Sequence, residues 1–134
     1  MALDIGDKRI GVAMSDPLGI LATPFTILGR SGGPEDIEAI NRIVREKQVD
    51  RVIIGLPLKL SGEEGEQAAK VKDFAVRLKE TSTVPVIFCD ERLSTVAAQR
   101  LRREAATGKR SPKAPDDDLA AAFILQWYLD EARP

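Results

Sequence analysis

The chain has 134 residues, of which 43% are hydrophobic and 31% are charged, and this composition excludes a disordered or low-complexity protein. The length suits one domain. A single cysteine cannot form an internal disulfide, and without histidine the chain has neither a Cys/His zinc site nor a histidine-activated nucleophile. Its chemistry must therefore use carboxylates, hydroxyls, Lys or Arg, with or without a hard cation.

The net charge of −1 argues against a general polyanion binder, but the charges are unevenly distributed. Residues 100–113 contain six basic residues and one acidic residue, Glu104, so this basic segment can contact phosphates. No apolar run approaches the roughly 20 residues that cross a bilayer. No leader sequence precedes the first strand, and we therefore expect a cytoplasmic protein without a membrane partner.

The first half of the sequence predicts three strands, a helix and a further strand. Residues 3–6, 10–15 and 22–28 are strands joined by turns. Pro34 opens a helix whose inward stripe is Ile37, Ile40 and Val44. Residues 52–55, of which the first three are β-branched, then form a buried strand.

The second half predicts alternating helices and strands. Ser61 and Glu64 form a capping box, which predicts a helix from about residue 63 with Ala68, Val71, Ala75 and Leu78 facing inward. Residues 85–89 are a buried strand, residues 94–106 a helix, residues 107–115 a polar basic loop, and residues 117–129 a last helix.

This order of elements predicts the α/β class. The first three strands form an antiparallel meander, and the βαβ crossovers add two parallel strands. The expected architecture is a single domain over residues 1–134, with a mixed five-stranded sheet and helices on both faces.

Two acidic positions occur where polar residues need an explanation. Asp4 lies inside an apolar run, although aspartate is rare in strands; alternatively it ends a frayed strand and helps to form the turn at Gly6. Asp90, Glu91 and Arg92 follow a predicted buried strand, where open α/β sheets bind ligands. The alternative there is an ordinary solvated loop.

The third acidic position is the start of the last helix, residues 116–118. Capping and the helix dipole account for two of these three aspartates. Asp118 shares a stripe with Ala122, Leu125 and Leu129, so we expect it to face the sheet. An inward carboxylate needs a partner, and a cation is one candidate.

These carboxylates can converge if the first strand lies centrally in the sheet. Carboxylate clusters without histidine suit Mg²⁺ or Mn²⁺. Two such ions stabilise the attacking and leaving oxygens of a phosphodiester displacement. The substrate would be a polyanion, and the basic segment could supply its phosphate contacts.

Four blocks of sequence, in order along nearly the whole chain, resemble the YqgF/RuvX family. The blocks are residues 4–13 with 15–17, residues 55–58 with Gly62 and Gly65, residues 90–95 with Ala97, and residues 118–121 with 124–126 and 128–129. This bacterial family has the ribonuclease H-like fold and is described as Holliday junction resolvases or pre-16S rRNA processing nucleases. The resemblance therefore implies a metal-dependent nuclease acting on an rRNA precursor or on branched DNA.

The resemblance implies a catalytic and metal-binding centre of Asp4, Glu91 and Asp118, holding Mg²⁺ or Mn²⁺ as two ions. Asp117 replaces the family's usual apolar residue and is the alternative to Asp118, while Asp90 would orient the site or pair with Arg92. Arg9 would neutralise a substrate phosphate. The expected nucleic-acid contacts are Arg9, Lys59, Arg92, Arg102, Arg103, Lys109, Arg110 and Lys113.

Two other functions stay open at this point. The first motif also resembles the phosphate loop of actin-like ATPases, which would make the protein a nucleotide-binding domain. A nucleic-acid-binding ribosome-assembly factor without turnover is the second alternative. Cys89 is expected to be a core thiol. Phe123, Trp127 and Tyr128 are expected to be core or a self-association face, and the latter would make the protein a homodimer.

Overall fold

The computed structural model describes residues 1–58, 61–90 and 116–132, with side chains described up to 58, over 61–90 and over 119–131. Eight helices and strands lie within these ranges. They are β1 (Ala2–Ile5), β2 (Arg9–Ser15), β3 (Ala22–Gly29), α1 (Pro34–Glu46), β4 (Val52–Leu56), α2 (Glu66–Thr81), β5 (Val86–Asp90) and α3 (Asp116–Ala132).

The five strands form one mixed sheet in the order β3-β2-β1-β4-β5. β1 is antiparallel to β2 and parallel to β4, which is in turn parallel to β5. The predicted sheet is therefore confirmed, and so is the central position of the first strand on which convergence of the carboxylates depends. The predicted helix over 94–106 and loop over 107–115 lie outside the described residues.

One face of the sheet is covered by α1 and α2. α1 begins with Pro34 at its first position, where the missing N–H costs no helical hydrogen bond. Ile37, Ile40 and Val44 are buried, as their spacing predicts, and the inward stripe of α2 is likewise buried and also includes Phe74. These helices pack on Leu3, Ile5, Val12 and Ile54 of the three central strands, and together they form the larger core cluster.

The other face is covered by α3. Ala121, Ala122, Ile124 and Leu125 pack on small or branched residues of the central strands and on Cys89, which is buried as predicted. Phe123 is buried, and Trp127 and Tyr128 pack against the same cluster, so the core interpretation of these aromatic residues is confirmed. The homodimer stays a prediction.

The capping-box prediction for α2 is wrong. The helix begins at Glu66 after Gly65, which makes no side-chain capping hydrogen bond. Glu64 instead forms an isolated antiparallel bridge with Leu58, so its backbone is extended where the prediction needs a first helical turn. The Ser61 hydroxyl accepts a hydrogen bond from the Glu63 amide at 3.4 Å, within the connection that precedes the helix.

The prediction of a strand over residues 85–89 is confirmed to within one residue, but the prediction that it is buried is wrong. β5 lies at the edge of the sheet, and of its five residues Cys89 alone is buried while the others are half-buried. An edge strand has a neighbour on one side only, so the described helices cover it less completely than they cover β1 and β4.

The β1–β2 turn is tight. The Gly6 amide donates a hydrogen bond to the Arg9 carbonyl oxygen at 2.8 Å. A Cβ atom added at Gly6 would lie 2.8 Å from that same oxygen, which is closer than real Cβ contacts allow. The turn therefore requires glycine at this position because the backbone approaches itself too closely for a side chain.

Gly6→Ala should lower the free energy of unfolding by about 1–3 kcal/mol, since the turn must open to admit the methyl group. Gly29→Ala is the matched control: an added Cβ there meets nothing within 4 Å, and we expect a change within about 0.5 kcal/mol. Urea denaturation of both variants measures the difference. Equal effects would show that the close approach is not what selects Gly6.

Candidate active site

The parallel strands define one edge of the sheet as the place where their carboxyl ends meet. Leu56 of β4 pairs with Asp90 of β5, and Leu3 of β1 pairs with Ile54 of β4. Asp4 follows Leu3 directly, so it lies near this edge, where α/β sheets generally bind their ligands. β2 begins at the same edge with Arg9, which is exposed.

The strand alternation decides which face of the sheet Asp4 occupies. Leu3 and Ile5 belong to the core beneath α1 and α2, whereas Ala2 belongs to the core beneath α3. Since side chains alternate along a strand, Asp4 shares the face of Ala2 and lies on the α3 side, where it is half-buried. The frayed-end alternative is excluded, because Asp4 is paired in register with Gly11 of β2.

The direction of α3 follows from contacts near its carboxyl end. The Arg51 guanidinium, just before β4, donates to the Tyr128 hydroxyl at 2.9 Å, and the Gln126 amide group donates to the Ile20 carbonyl oxygen at 2.9 Å. Both partners lie at the amino end of the parallel strands. α3 therefore runs antiparallel to β1, and its first turn lies toward the carboxyl edge.

A length estimate gives the level of position 118. Ten helical residues separate it from Tyr128 and span roughly 15 Å, while the four strand residues from Arg51 to Gly55 span roughly 13 Å. Position 118 is one helical turn before Ala122, which packs on the sheet. The backbone thus brings the start of α3 to the edge and face on which Asp4 lies.

The alternation of β5 determines the face of the sheet on which Asp90 lies. Ile87 and Cys89 pack with α3, whereas Val86 and Phe88 pack against the core beneath α1 and α2. Asp90, next to Cys89, therefore falls on the α1–α2 side, away from Asp4. The other predicted site residues lie outside the described residues: Lys59, Glu91, Arg92, Arg102, Arg103, Lys109, Arg110 and Lys113.

Within residues 1–58, 61–90 and 119–131, no group of three potential metal ligands forms a cluster. Two of the three predicted ligand side chains, those of Glu91 and Asp118, lie outside these ranges. The predicted donor set consists of carboxylates, and hard oxygen donors of this kind fit Mg²⁺ or Mn²⁺.

An ion pair between half-buried Arg30 and buried Asp36, absent from the sequence predictions, lies behind the β1–β2 turn. The Nε atom of Arg30 is 3.6 Å from the Asp36 carboxylate, whose side chain is only 5% exposed. Asp36 accepts hydrogen bonds from the Ser31 amide and hydroxyl and from the Gly32 amide, at 2.9–3.0 Å. A sequence signal existed: an acidic residue in the first turn of a helix can reach back to the amides that precede it.

These contacts shift the titration of Asp36. Burial alone would raise the pKa of its carboxyl, but the hydrogen bonds from Ser31 and Gly32 and the charge of Arg30 outweigh burial and hold the pKa below its ordinary value. The carboxylate is therefore ionised at neutral pH and serves as a fixed negative charge beside Arg30.

Comparison with known proteins assigns the family. The RuvX family model, described as "Holliday junction resolvase", matches residues 1–131. The "Putative pre-16S rRNA nuclease" of Dehalococcoides mccartyi is 47% identical over 97% of this chain and 96% of its own length. The protein of the same name from Thermoanaerobacter pseudethanolicus is 46% identical over 99% of this chain and 96% of its own.

Solved structures of resolvases share the fold. Thermus thermophilus RuvC in complex with a Holliday junction substrate superposes with a TM-score of 0.59 at 16% identity, covering 96% of this chain and 91% of that chain. The fowlpox virus resolvase bound to Holliday junction DNA gives a TM-score of 0.53 at 16% identity, covering 98% and 97%.

The fold and these relatives define the class of protein as a nuclease with a ribonuclease H-like α/β fold. Within that class, the chain belongs to the RuvX family. The family assignment favours the nuclease over the nucleotide-binding and non-catalytic alternatives. No helix within the described ranges is long and apolar enough to span a bilayer.

Asp36→Asn should lower the free energy of unfolding at pH 7 by about 1–3 kcal/mol, because it removes a charged hydrogen-bond acceptor from a buried site. The folded-state pKa lies below the unfolded value of about 4. The contribution of the Asp36 carboxylate to the free energy of unfolding is thus complete above pH 4 and is lost as the pH falls through the folded-state pKa. The difference between wild type and variant should therefore shrink in acid.

Urea unfolding between pH 7 and pH 3 measures this dependence. Glu38→Gln is the matched control, because Glu38 is an exposed carboxylate on the same helix. This variant should change neither the free energy of unfolding nor its pH dependence measurably. A difference that stays constant down to pH 3 would contradict the assigned pKa direction.

Proposed function

We propose that this nuclease hydrolyses phosphodiester bonds in the precursor of 16S rRNA, with Asp4, Glu91 and Asp118 as its catalytic and metal-binding carboxylates. The observation that carries the proposal is the position of Asp4: half-buried on the α3 face of the central strand, at the edge toward which α3 begins. The relatives at 46–47% identity are named for this RNA substrate.

A four-way DNA junction is the second candidate substrate, because the matching family model carries the description of a Holliday junction resolvase. Both substrates are structured polyanions, and contacts to phosphates do not distinguish their sequences. Cleavage of an rRNA precursor and of a four-way junction, measured side by side, decides between them. The location we propose is the cytoplasm, where either substrate would be met.

The ligand assignment rests on geometry and alternation. Asp4 is on the α3 side of β1, and continued alternation beyond Cys89 would give the same side to Glu91 and the opposite side to Asp90. Asp118, one turn before Ala122, is favoured over Asp117 by the helical stripe that packs on the sheet. Three carboxylates from three elements would then surround one point at the sheet edge.

The carboxylates would hold two Mg²⁺ or Mn²⁺ ions, which supply a nucleophile from water and neutralise charge on the attacking and leaving oxygens. The chain's own contribution is to fix the oxygen ligands on rigid elements and to orient the scissile phosphate. Arg9, exposed at the start of β2, would neutralise a non-reacting phosphate oxygen.

Asp4→Asn should reduce the rate of cleavage of the rRNA precursor at least about 100-fold, because an amide cannot replace a charged ligand at the reacting centre. Asp50→Asn is the control: Asp50 is exposed at the opposite edge of the sheet, and the variant should cleave like the wild type. Single-turnover assays with Mg²⁺ and with Mn²⁺ measure both. Mn²⁺-dependent cleavage retained in Asp4→Asn would remove the proposal.

The basic segment should bind the substrate backbone. Replacing Lys109, Arg110 and Lys113 with Ala should weaken RNA binding and reduce the salt dependence of log K by about 0.7–0.9 for each phosphate that the variant no longer neutralises. Replacing Arg42, Arg45 and Lys47 with Ala removes the same charge from exposed positions of α1 and the residue after it, and should leave the slope unchanged. Binding isotherms over a salt series measure the slopes, and identical slopes for both triple variants would remove the basic segment from the interface.

A further inference from the structure

We infer that Arg30 is a positioning residue of the active site, which holds the β1–β2 turn from behind so that Asp4 and Arg9 keep their relative position. The inference rests on the proposed function, because it assigns Arg30 a part in the chemistry of Asp4. The Arg30 side chain donates a hydrogen bond from Nη1 to the Gly6 carbonyl oxygen at 3.0 Å, although the two residues are 24 positions apart in sequence.

The backbone of Arg30 makes a second contact with the same turn. Its amide donates to the Lys8 carbonyl oxygen at 2.9 Å, just beyond the end of the β2–β3 pairing. One residue thus engages the carbonyl oxygens on both sides of Asp7. The turn itself is closed by the hydrogen bond from Gly6 to Arg9, so its main chain is fixed at three points.

The guanidinium of Arg30 is itself held in place. Asp36 lies on one side, with Nε 3.6 Å from its carboxylate, and the ring of Phe74 in α2 lies 5.4 Å from the guanidinium carbon. Asp36 is fixed in turn by its hydrogen bonds to Ser31 and Gly32. The turn is therefore tied to α1 and α2 through one side chain with little freedom to swing away.

The Nε atom of Arg30 faces Asp36 without forming a hydrogen bond to it. It is buried and, among the described residues, has no hydrogen-bond partner, although buried donors are usually paired. The side chain reaches the Gly6 carbonyl while its Nε stays 3.6 Å from Asp36, beyond hydrogen-bond distance.

Asp4 and Arg9 flank the turn on either side, so their relative position depends on the turn. A loosened turn would let the end of β1 and the start of β2 move apart, and with them a metal ligand and a phosphate contact. Arg30 lies beneath the turn and next to α1 and α2, whereas Asp4 is on the α3 face. It therefore acts through the backbone and does not need to touch substrate.

The experiment compares Arg30→Met, Arg30→Lys and the control Arg42→Met, which removes an exposed arginine from α1. The measurements are kcat and KM for cleavage of the rRNA precursor at saturating Mg²⁺, and amide hydrogen exchange of Gly6, at a temperature where every variant is folded. Should Arg30→Met fail to fold, the same measurements are made on Asp36→Asn. This variant removes the ion pair with Arg30 but keeps the Arg30 side chain.

We expect Arg30→Met to lower kcat about tenfold or more, as the removal of supporting groups around metal ligands does, with KM changed less than twofold. Exchange of the Gly6 amide should accelerate about tenfold while that of Ile54 in the core stays unchanged. Arg30→Lys keeps the charge and one donor group, so its kcat and its Gly6 exchange rate should lie between those of Arg30→Met and the wild type. Arg42→Met should match the wild type in both.

Three results would overturn the inference: an unchanged kcat, a loss of kcat no larger than the fraction of unfolded protein, or an unchanged exchange rate of Gly6. A wild-type protein that cleaves neither the rRNA precursor nor a four-way junction contradicts the proposed function instead. A wild type that cleaves, together with an Arg30→Met variant that cleaves equally well, contradicts the positioning role alone.

Discussion

The central position of β1 is the constraint on which the rest of the structure depends. The strand is paired on both edges and covered on both faces, so its alternation is fixed by two separate cores. Leu3 and Ile5 fill one core and Ala2 the other, which leaves the α3 face to Asp4. A shift in register by one residue would move a carboxylate into the larger hydrophobic core, at a cost that burial of an unpaired charge makes prohibitive.

The two faces of the sheet have different tasks. α1 and α2 form the larger core and, through Asp36 and Phe74, hold the Arg30 side chain against the β1–β2 turn. α3 covers the other face, where the proposed chemistry lies, with a cluster that includes several alanines. Small side chains allow this helix to approach the sheet closely. The proposed metal centre would need this close approach, because the Asp118 side chain is short.

Much of the fold could be predicted from the sequence because its signals are local. The apolar periodicity of α1 and the β-branched run of β4 indicated the correct element types, and the chain order indicated the sheet. The start of α2 was missed because Glu64 pairs with Leu58, an interaction that competes with the cap and is invisible to local pattern. The burial of β5 was overestimated because an edge position is a property of the whole sheet.

The candidate site was predictable in part. Asp4 stood out because a charge interrupts an apolar strand, and the structure places it half-buried on the α3 face of β1; its role as a metal ligand stays a prediction. Glu91 was chosen over Asp90 from the family resemblance and stays a prediction, while the face of Asp90 became known only from the strand pairing, since alternation has meaning only once the two faces are known. Arg30 could not be found by pattern, because its partners Gly6 and Asp36 lie far from one another in sequence and meet only in the folded chain.

One consequence follows from the way α3 and β1 share a core. Ala2 and Ile124 belong to the same core cluster although almost the whole chain separates them in sequence. During synthesis, a nascent polypeptide holding β1 through β5 still lacks the helix that completes the proposed centre. Nuclease activity would then arise only after the last helix has left the ribosome, so unfinished or truncated chains would not cleave the RNA around them.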